Sequence, residues 1–272
     1  MSERLLRRVF EAFPGVSLLA RNLRDQLDRR GPWVSTPWGF GLAGHAAMAK
    51  GEFEPEETRL VRALLNDVEV FVNVGANVGY YCCHALSHGR SVIAIEPMER
   101  NVHYLLKNIH GNGWAGKAQI FPVAAGPATG VLEMWGSGTG ASLIRGWAGI
   151  PESYVSLVPV LTLDRILDNS LVGKKALILV DIEGAELGML QGALRTLENN
   201  PRPIWLIEIS ATEHQPASVS MNPNFVETFN MFFSRGYTAY TADSEMRSVD
   251  RNDVLKIEAG DLKLATHNFL FR

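Results

Sequence analysis

The stretch that decides the fold is VFVNVGANVGY, residues 70–80. Five strand-forming residues run into a glycine-rich turn, and a helical pattern follows over residues 79–88. A buried strand, a tight turn and a helix make the first half of a βαβ unit. Glycine suits positions where the backbone turns sharply and approaches a ligand, and the exposed N–H groups of such a turn can hold an anionic group. A simple tight turn is the plainer alternative.

An acidic residue follows the next predicted strand, over residues 91–95. This residue, Glu96, lies 21 positions after Gly75. In nucleotide-binding sheets an acid about 20 residues past the glycine turn accepts hydrogen bonds from ribose hydroxyls. The two features together predict a cofactor that contains adenosine, and an unused surface acid is the alternative for Glu96. Asn77 and Tyr80 replace glycines of the G-x-G-x-x-G pattern, which disfavours a nicotinamide cofactor.

Strands and helices continue to alternate through the rest of the chain. The patterns predict strands over 118–124, 131–135 paired with 156–161, 176–180, 204–209, 237–241 and 268–271, and helices over 99–110, 187–197 and 224–235. Continuous apolar strands separated by helices indicate an α/β fold, in which helices cover both faces of a mostly parallel sheet. Ligands bind such sheets at the carboxyl ends of the strands.

Acidic residues cluster after the later strands. Asp181 directly follows the apolar strand 176–180, where ligands bind, and Glu183 and Glu186 come next. Acids at the start of a helix can simply complement the helix dipole. Glu208 interrupts an apolar strand, and a buried acid needs a partner or a function. His214 is a further candidate, with a surface-loop histidine as the equal alternative.

The composition is that of a globular chain. Of 272 residues, 46% are hydrophobic and 20% are charged, a length that allows one or two domains. The 26 basic and 29 acidic side chains nearly balance, which argues against a general nucleic-acid binder. The adjacent Cys82 and Cys83 fit a reducing compartment. The sequence shows neither a secretory signal nor an apolar run of the about 20 residues that span a bilayer, so we expect a cytoplasmic protein.

The N-terminal part differs from the rest in charge. Residues 1–30 hold seven arginines and four acids, a net charge of +3 against −6 for the remainder. Apolar residues line one face of a helix over residues 5–13, and a second helix is predicted over 16–28. These helices would pack on the main domain or in a dimer contact; a basic arm that touches a membrane surface or an anionic substrate is the alternative. We expect a helical extension, residues 1–68, that helps cover the binding site of a domain formed by residues 69–272.

Several motifs together resemble those of the FkbM-type methyltransferases, which depend on S-adenosylmethionine. They are FVNVGANVGYY at 71–81, IEP at 95–97, LTLD at 161–164, LVDIEGAE at 179–186, residues 204–209, and GEFEP at 51–55. The resemblance runs from about Trp38 to the C-terminus. It implies a Rossmann-like class I methyltransferase fold, with a seven-stranded, mostly parallel sheet, and it identifies the adenosine cofactor as S-adenosylmethionine.

The resemblance also implies roles for individual residues. Candidates for binding the cofactor are Glu54, Asn73, Gly75, Ala76, Asn77, Gly79, Glu96, Pro97, Val123, Ala124 and Asp181. Among them the glycine loop would line the methionine end, Glu96 would hold the ribose, and Asp181 would face the transferred methyl. The family commonly has Asp where this chain has Asn73 and Lys where it has Leu179, so any role of those charges is absent or supplied elsewhere.

The implied reaction moves a methyl group to a hydroxyl of a sugar in a glycan or of a secondary metabolite. Asp181 is the candidate base, with Glu183, Glu208 and His214 in support. A divalent metal on Asp181 and Glu208 is the other scheme. The rival functions are a nicotinamide-dependent oxidoreductase and a noncatalytic binding protein on the same fold, with nucleic-acid methylation ranked lowest. A homo-oligomer is compatible with each.

Overall fold

The computed structural model describes residues 32–150 and 153–272. The helices and the basic arm predicted for residues 1–30 lie outside the described residues. The described strands are β1 (Val34–Ser35), β2 (Gly41–Leu42), β3 (Val70–Val74), β4 (Ser91–Ile95), β5 (Ala118–Phe121), β6 (Ala124–Ala125), β7 (Gly130–Trp135), β8 (Val155–Leu161), β9 (Ala176–Val180), β10 (Ile204–Glu208), β11 (Ala239–Thr241), β12 (Ser248–Val249) and β13 (Asn268–Phe271). The described α-helices are α1 (Ala46–Lys50), α2 (Pro55–Leu64), α3 (Tyr80–Ser87), α4 (Glu99–Gly111), α5 (Leu163–Leu167), α6 (Glu186–Gln191), α7 (Leu194–Leu197), α8 (Phe225–Phe233) and α9 (Arg251–Ala259).

The main sheet has the order β12-β11-β13-β10-β9-β3-β4-β5. The neighbouring strands β10, β9, β3, β4 and β5 pair in parallel. In contrast, β13 runs antiparallel to both β10 and β11. This order confirms the predicted α/β, Rossmann-like class I methyltransferase fold. The predicted number of seven strands is wrong, because Ser248–Val249 adds an eighth, antiparallel strand beside β11. A two-residue strand is too short to produce an alternating pattern in the sequence.

Each face of the sheet carries its own core. Along β3, Val70, Val72 and Val74 face the cluster formed with α5 to α9, while Phe71 faces the cluster formed with α1 to α4. All five residues of β3 and all five of β9 are buried. Side chains alternate between the two faces of a strand, so a sheet covered on both faces requires continuous apolar strands. None of the described helices is long and apolar enough to cross a lipid bilayer.

Residues 32–68 pack directly on the sheet domain. Phe40, Leu42 and Val61 belong to the same core as the residues of α3 and α4. The side chain of Asn108, from α4, accepts a hydrogen bond from the N–H of Ala43 and donates one to its carbonyl oxygen. The described part of the predicted extension therefore shares its core with the sheet. Its role as a cover for the acceptor site stays a prediction.

A small second sheet lies between β5 and β9 along the chain. Its order is β6-β8-β7, and β7 and β8 are the antiparallel pair that the sequence predicts. The segment of residues 136–150 follows β7 and is called the lid segment below. Ser142 in this segment exchanges backbone hydrogen bonds of 2.8 and 2.9 Å with Trp135, which anchors the segment to the end of β7.

The structure differs from the helix prediction over residues 187–197 and over residues 251–259. The single helix expected over residues 187–197 is interrupted, and α6 and α7 are separate. A Cβ on Gly192 would lie 2.2 Å from the carbonyl oxygen of Gly126, so the backbone here follows a tertiary contact rather than helical periodicity. Helix α9 was not predicted, although its capping box, Asp250 with Asp253, is a recognised start signal.

Candidate active site

A cleft opens at the carboxyl ends of β3, β4 and β9. The chain winds outward from β3 to β4 and β5 and later returns to place β9 on the other side of β3, so the cleft lies at the switch point where such sheets bind ligands. Its walls are Val74, Gly75, Asn77, Ile95, Glu96, Pro97, Met98, Asn101, Val123, Ala124, Ala125, Met134, Gly138, Ala141, Leu143, Asp181, Ile182, Glu183 and Ala185. Gly138, Ala141 and Leu143 come from the lid segment, which therefore forms one wall of the cleft.

The glycine loop is shaped by a close backbone contact. Gly75 has a φ of +87°, and a Cβ at this position would lie 1.8 Å from the carbonyl oxygen of Asp181. The N–H groups of Gly75 and Ala76 both donate to the carbonyl oxygen of Ile95, at 2.9 and 3.0 Å. Only glycine lets the loop after β3 meet the end of β9 and the end of β4 in this way. Gly79 has a packing role, since a Cβ there would lie 2.5 Å from the side chain of Leu105.

Glu96 joins the loops that follow β3 and β4. Its Oε2 accepts a hydrogen bond of 2.8 Å from the N–H of Asn77, and its Oε1 accepts one of 2.8 Å from the N–H of Met98. The side chain is only 4% exposed. Burial raises the pKa of Glu96 to about 7, and these hydrogen bonds act against that rise. Asn77 adopts the left-handed conformation, with a φ of 51°, which asparagine tolerates better than most residues.

The predicted cofactor residues divide into two groups. Gly75, Asn77, Glu96, Pro97, Val123, Ala124 and Asp181 line the cleft. The other four do not line it. Asn73 is 1% exposed and its amide donates to the Sγ of Cys82, while Ala76 is buried in the loop and Gly79 begins α3. Glu54 precedes α2 and accepts a hydrogen bond of 2.7 Å from the hydroxyl of Tyr81.

Carboxylates crowd together at the ends of β9 and β10. Val180 and Ile207 are register partners, so the next residues, Asp181 and Glu208, are neighbours at the carboxyl edge. Burial, followed by the charges of Glu208 and Glu183, raises the pKa of Asp181 well above its usual value. Burial is also the main reason why the pKa of Glu208 rises to about 8, with added repulsion from Glu183. Such carboxylates hold a proton more readily at neutral pH than ordinary ones.

The histidine beside Glu208 is His267, not His214. The Nε2 of His267 lies 3.5 Å from the Oε1 of Glu208, whereas His214 is exposed and its ring lies beside that of Trp147, 6.2 Å away. His267 precedes β13, in which Asn268 is the register partner of Glu208. His267 was not predicted, because β10 and β13 are far apart in the sequence. Its place beside Glu208 follows only from the antiparallel pairing of these two strands.

Glu183 fastens the lid segment to the motif loop after β9. Its Oε2 accepts a hydrogen bond of 2.7 Å from the Nε1 of Trp147, and its carbonyl oxygen accepts one of 2.5 Å from the hydroxyl of Ser142. Trp147 packs so closely on Gly184 that a Cβ there would lie 2.4 Å from the indole ring. Trp147 was not a candidate in the sequence, because nothing in the local pattern links it to residues 181–186.

A metal centre is not supported by the arrangement of side chains. Within residues 32–150 and 153–272, no three histidine, cysteine, aspartate or glutamate side chains are grouped in a way that could hold a metal ion. The predicted pair, Asp181 and Glu208, lacks a third ligand of this kind.

The sequence matches a known protein family over more than half of its length. The matching residues are 73–239, and the family is the Methyltransferase FkbM domain. The fold resembles methyltransferase FkbM from Methylobacillus flagellatus KT, with 20% identity over 76% of this chain and 44% of that one and a TM-score of 0.44. It also resembles an O-methyltransferase from Bacillus cereus in complex with SAH, with 10% identity, coverages of 82% and 83% and a TM-score of 0.46. A SAM-dependent methyltransferase from Agrobacterium tumefaciens is similar at 12% identity, 85% and 66% coverage and a TM-score of 0.44. The curated proteins contain no match to the sequence.

Proposed function

We propose that this chain, which belongs to the FkbM methyltransferase family, transfers a methyl group from S-adenosylmethionine to a hydroxyl oxygen. The acceptor we propose is a sugar of a glycan or of a glycosylated or secondary metabolite. The observation that carries the proposal is that one cleft contains both a buried carboxylate suited to a ribose, Glu96, and a carboxylate with a raised pKa, Asp181.

The walls of the cleft fit an adenosine cofactor. Glu96 offers carboxylate oxygens at the end of β4, and Met98, Val123 and Met134 supply apolar surface for a base. The missing side chain of Gly75 lets the loop after β3 lie directly against the backbone of Asp181. S-adenosylmethionine, when bound, supplies a methyl group activated by a sulfonium. These residues bind and orient it, and Ala141 and Leu143 of the lid segment add apolar surface to the cleft.

Asp181 is the proposed general base. An alcohol is a weak nucleophile until its proton is removed, and a base works best when its pKa is near the working pH. Burial, and after it the charges of Glu208 and Glu183, moves the pKa of Asp181 in that direction. The same crowding disfavours an acceptor that carries a phosphate or carboxylate near the reacting hydroxyl, because like charges repel. This supports an uncharged hydroxyl as the methyl acceptor.

Thermal-shift titration separates this proposal from an oxidoreductase. S-adenosylhomocysteine should raise the melting temperature in a concentration-dependent way, because it binds only the folded state, and NAD should not. Stabilisation by NAD alone would contradict the proposal. Release of S-adenosylhomocysteine is then measured with a panel of neutral and phosphorylated sugars. Binding of the cofactor without turnover on any hydroxylated acceptor would favour a noncatalytic binding protein.

A further inference from the structure

Asn101 lines the cleft, although the sequence did not predict it as a site residue, and only one of its two amide atoms has hydrogen-bond partners among the described residues. It lies in the first turn of α4 and is 2% exposed. Its Nδ2 donates to the Oε1 of Glu96 at 3.2 Å and to the carbonyl oxygen of Gly138 at 3.0 Å. A backbone carbonyl oxygen can only accept, and the Oε1 of Glu96 already accepts from the N–H of Met98, so the amide nitrogen must face them. The orientation of the amide is therefore determined by its surroundings.

The other amide atom has no partner of its own. Among the described residues, nothing donates a hydrogen bond to the buried Oδ1 of Asn101. Asn101 is also one of the residues that line the cleft. Buried carbonyl oxygens are paired in the great majority of cases, and an unpaired one is unfavourable. An unpaired acceptor in the wall of a binding cleft indicates a ligand that brings a donor.

We infer that the Oδ1 of Asn101 accepts a hydrogen bond from a ribose hydroxyl of the cofactor. The Nδ2 of the same amide lies 3.2 Å from the Oε1 of Glu96, the carboxylate that the proposed function assigns to the ribose, so Asn101 and Glu96 are neighbours in the wall of the cleft. A ribose carries two neighbouring hydroxyl donors, one for Glu96 and one for Asn101. The inference rests on the proposed function, since it requires an adenosine cofactor.

An amide suits this position better than a second acid. Glu96 is buried, and its pKa is already raised to about 7 by that burial. A second carboxylate at position 101 would repel Glu96 and favour protonation of one of them. Asparagine adds an acceptor for the ribose without adding a charge. Through its Nδ2 it also holds Glu96 and, at Gly138, the lid segment. Asn101 thereby becomes a residue that determines the specificity for ribose.

The test is a cycle between protein variants and cofactor analogues, read by isothermal titration calorimetry without turnover. Asn101→Ala should weaken S-adenosylhomocysteine about tenfold, which corresponds to about 1.4 kcal/mol. The same substitution should weaken either the 2′-deoxy or the 3′-deoxy analogue less than about twofold, because that analogue lacks the donor. Equal losses for all three ligands would mean that Asn101 acts only through Glu96 and the lid segment, and would overturn the inference.

Two controls sharpen the result. Asn108→Ala removes another buried asparagine of α4, one whose amide atoms are all bonded to the backbone of Ala43 and Val78, and should change the three affinities equally. Asn101→Ser is the second variant if Asn101→Ala does not fold, with the same expectation. An analogue that lacks the hydrogen-bond donors on N6 of the adenine tests the other source of a donor. If Asn101→Ala no longer weakens the binding of that analogue, but still weakens the binding of both deoxyribose analogues, the ribose assignment is wrong. If the unaltered protein does not bind S-adenosylhomocysteine, the proposed function itself fails.

Discussion

The carboxylates at the two ends of the cleft have different surroundings. At the ends of β3 and β4, Glu96 is buried but receives hydrogen bonds from Asn77, Met98 and Asn101. At the ends of β9 and β10, Asp181 lies in the cleft wall and Glu208 lies next to it outside that wall, and both face other carboxylates. Among the described residues, the side chain of Glu208 contacts Ser210 and His267, each at 3.5 Å. The acid at the ends of β3 and β4 is therefore surrounded by hydrogen-bond donors, whereas the acids at the ends of β9 and β10 are surrounded by other acids.

This difference indicates a division of labour. Donors that surround an acid fix its position, which favours binding of a ligand in one orientation. Acids that repel one another keep a raised pKa, which favours proton transfer near neutral pH. We therefore propose that the β3–β4 half binds the cofactor and that the ends of β9 and β10 serve the acceptor and its proton. Substitutions in one half should leave the function of the other nearly intact.

The largest effect is expected for Asp181→Asn. Loss of the base should lower turnover by about 100-fold or more, while the affinity for S-adenosylhomocysteine changes little. The measurements are initial rates at saturating cofactor and calorimetric titration. Asp67→Asn, an exposed aspartate before β3, is the matched control and should behave like the parent. Turnover of Asp181→Asn within tenfold of the parent would remove Asp181 from the role of base.

Glu96→Gln should produce the opposite pattern. The substitution removes the charge that strengthens the hydrogen bond to the ribose, so S-adenosylhomocysteine should bind about 10- to 100-fold more weakly. At saturating cofactor the turnover should stay near that of the parent. Glu133→Gln, on the exposed part of β7, is the control. An unchanged affinity in Glu96→Gln would show that the cofactor lies elsewhere.

Glu183→Gln tests the crowding itself. The charge of Glu183 helps to raise the pKa of Asp181, so removing it should lower that pKa and move the acid limb of the rate profile to lower pH. A glutamine can still accept the hydrogen bond from Trp147. Trp147→Phe, which loses the donor but keeps the acid at 183, should leave the position of the acid limb unchanged. An acid limb that does not move in Glu183→Gln would separate Asp181 from this limb.

The smallest effect concerns stability without ligand. Burial raises the pKa of Glu186 from its ordinary value of 4.5 to about 8, so the folded state retains a proton that the unfolded state has lost. Its contribution to stability is complete below pH 4.5 and is lost as the pH rises through about 8. The melting temperature should fall over this range, by about 2–4 °C for each kcal/mol lost. Glu186→Gln, which can still accept from the N–H of Gly184, should reduce that fall, and an identical fall would contradict the assignment.

Sequence patterns were sufficient for several of the elements that local rules describe, but not for all of them. The strand-turn-helix at 70–80 and the spacing from Gly75 to Glu96 predicted where the cleft would form. They also predicted the antiparallel pair β7 and β8. Helix α9 was missed even though Asp250 and Asp253 carry its start signal.

The features that were missed depend on contacts between distant segments. Trp147 reaches Glu183 across 36 positions of the chain, and Asn101 reaches Gly138 across 37. His267 comes beside Glu208 through the pairing of β10 with β13. No periodicity or spacing rule connects such residues, because the lid segment is irregular and its path is set by packing. The geometry of the site therefore required the fold.

The most direct test of the division of labour is a crystal structure of the protein with S-adenosylhomocysteine. The account predicts the ribose within about 3 Å of the carboxylate of Glu96, the adenine against Met98 and Val123, and the sulfur facing Asp181. A cofactor bound away from Glu96, or one whose sulfur faces away from Asp181, would contradict it.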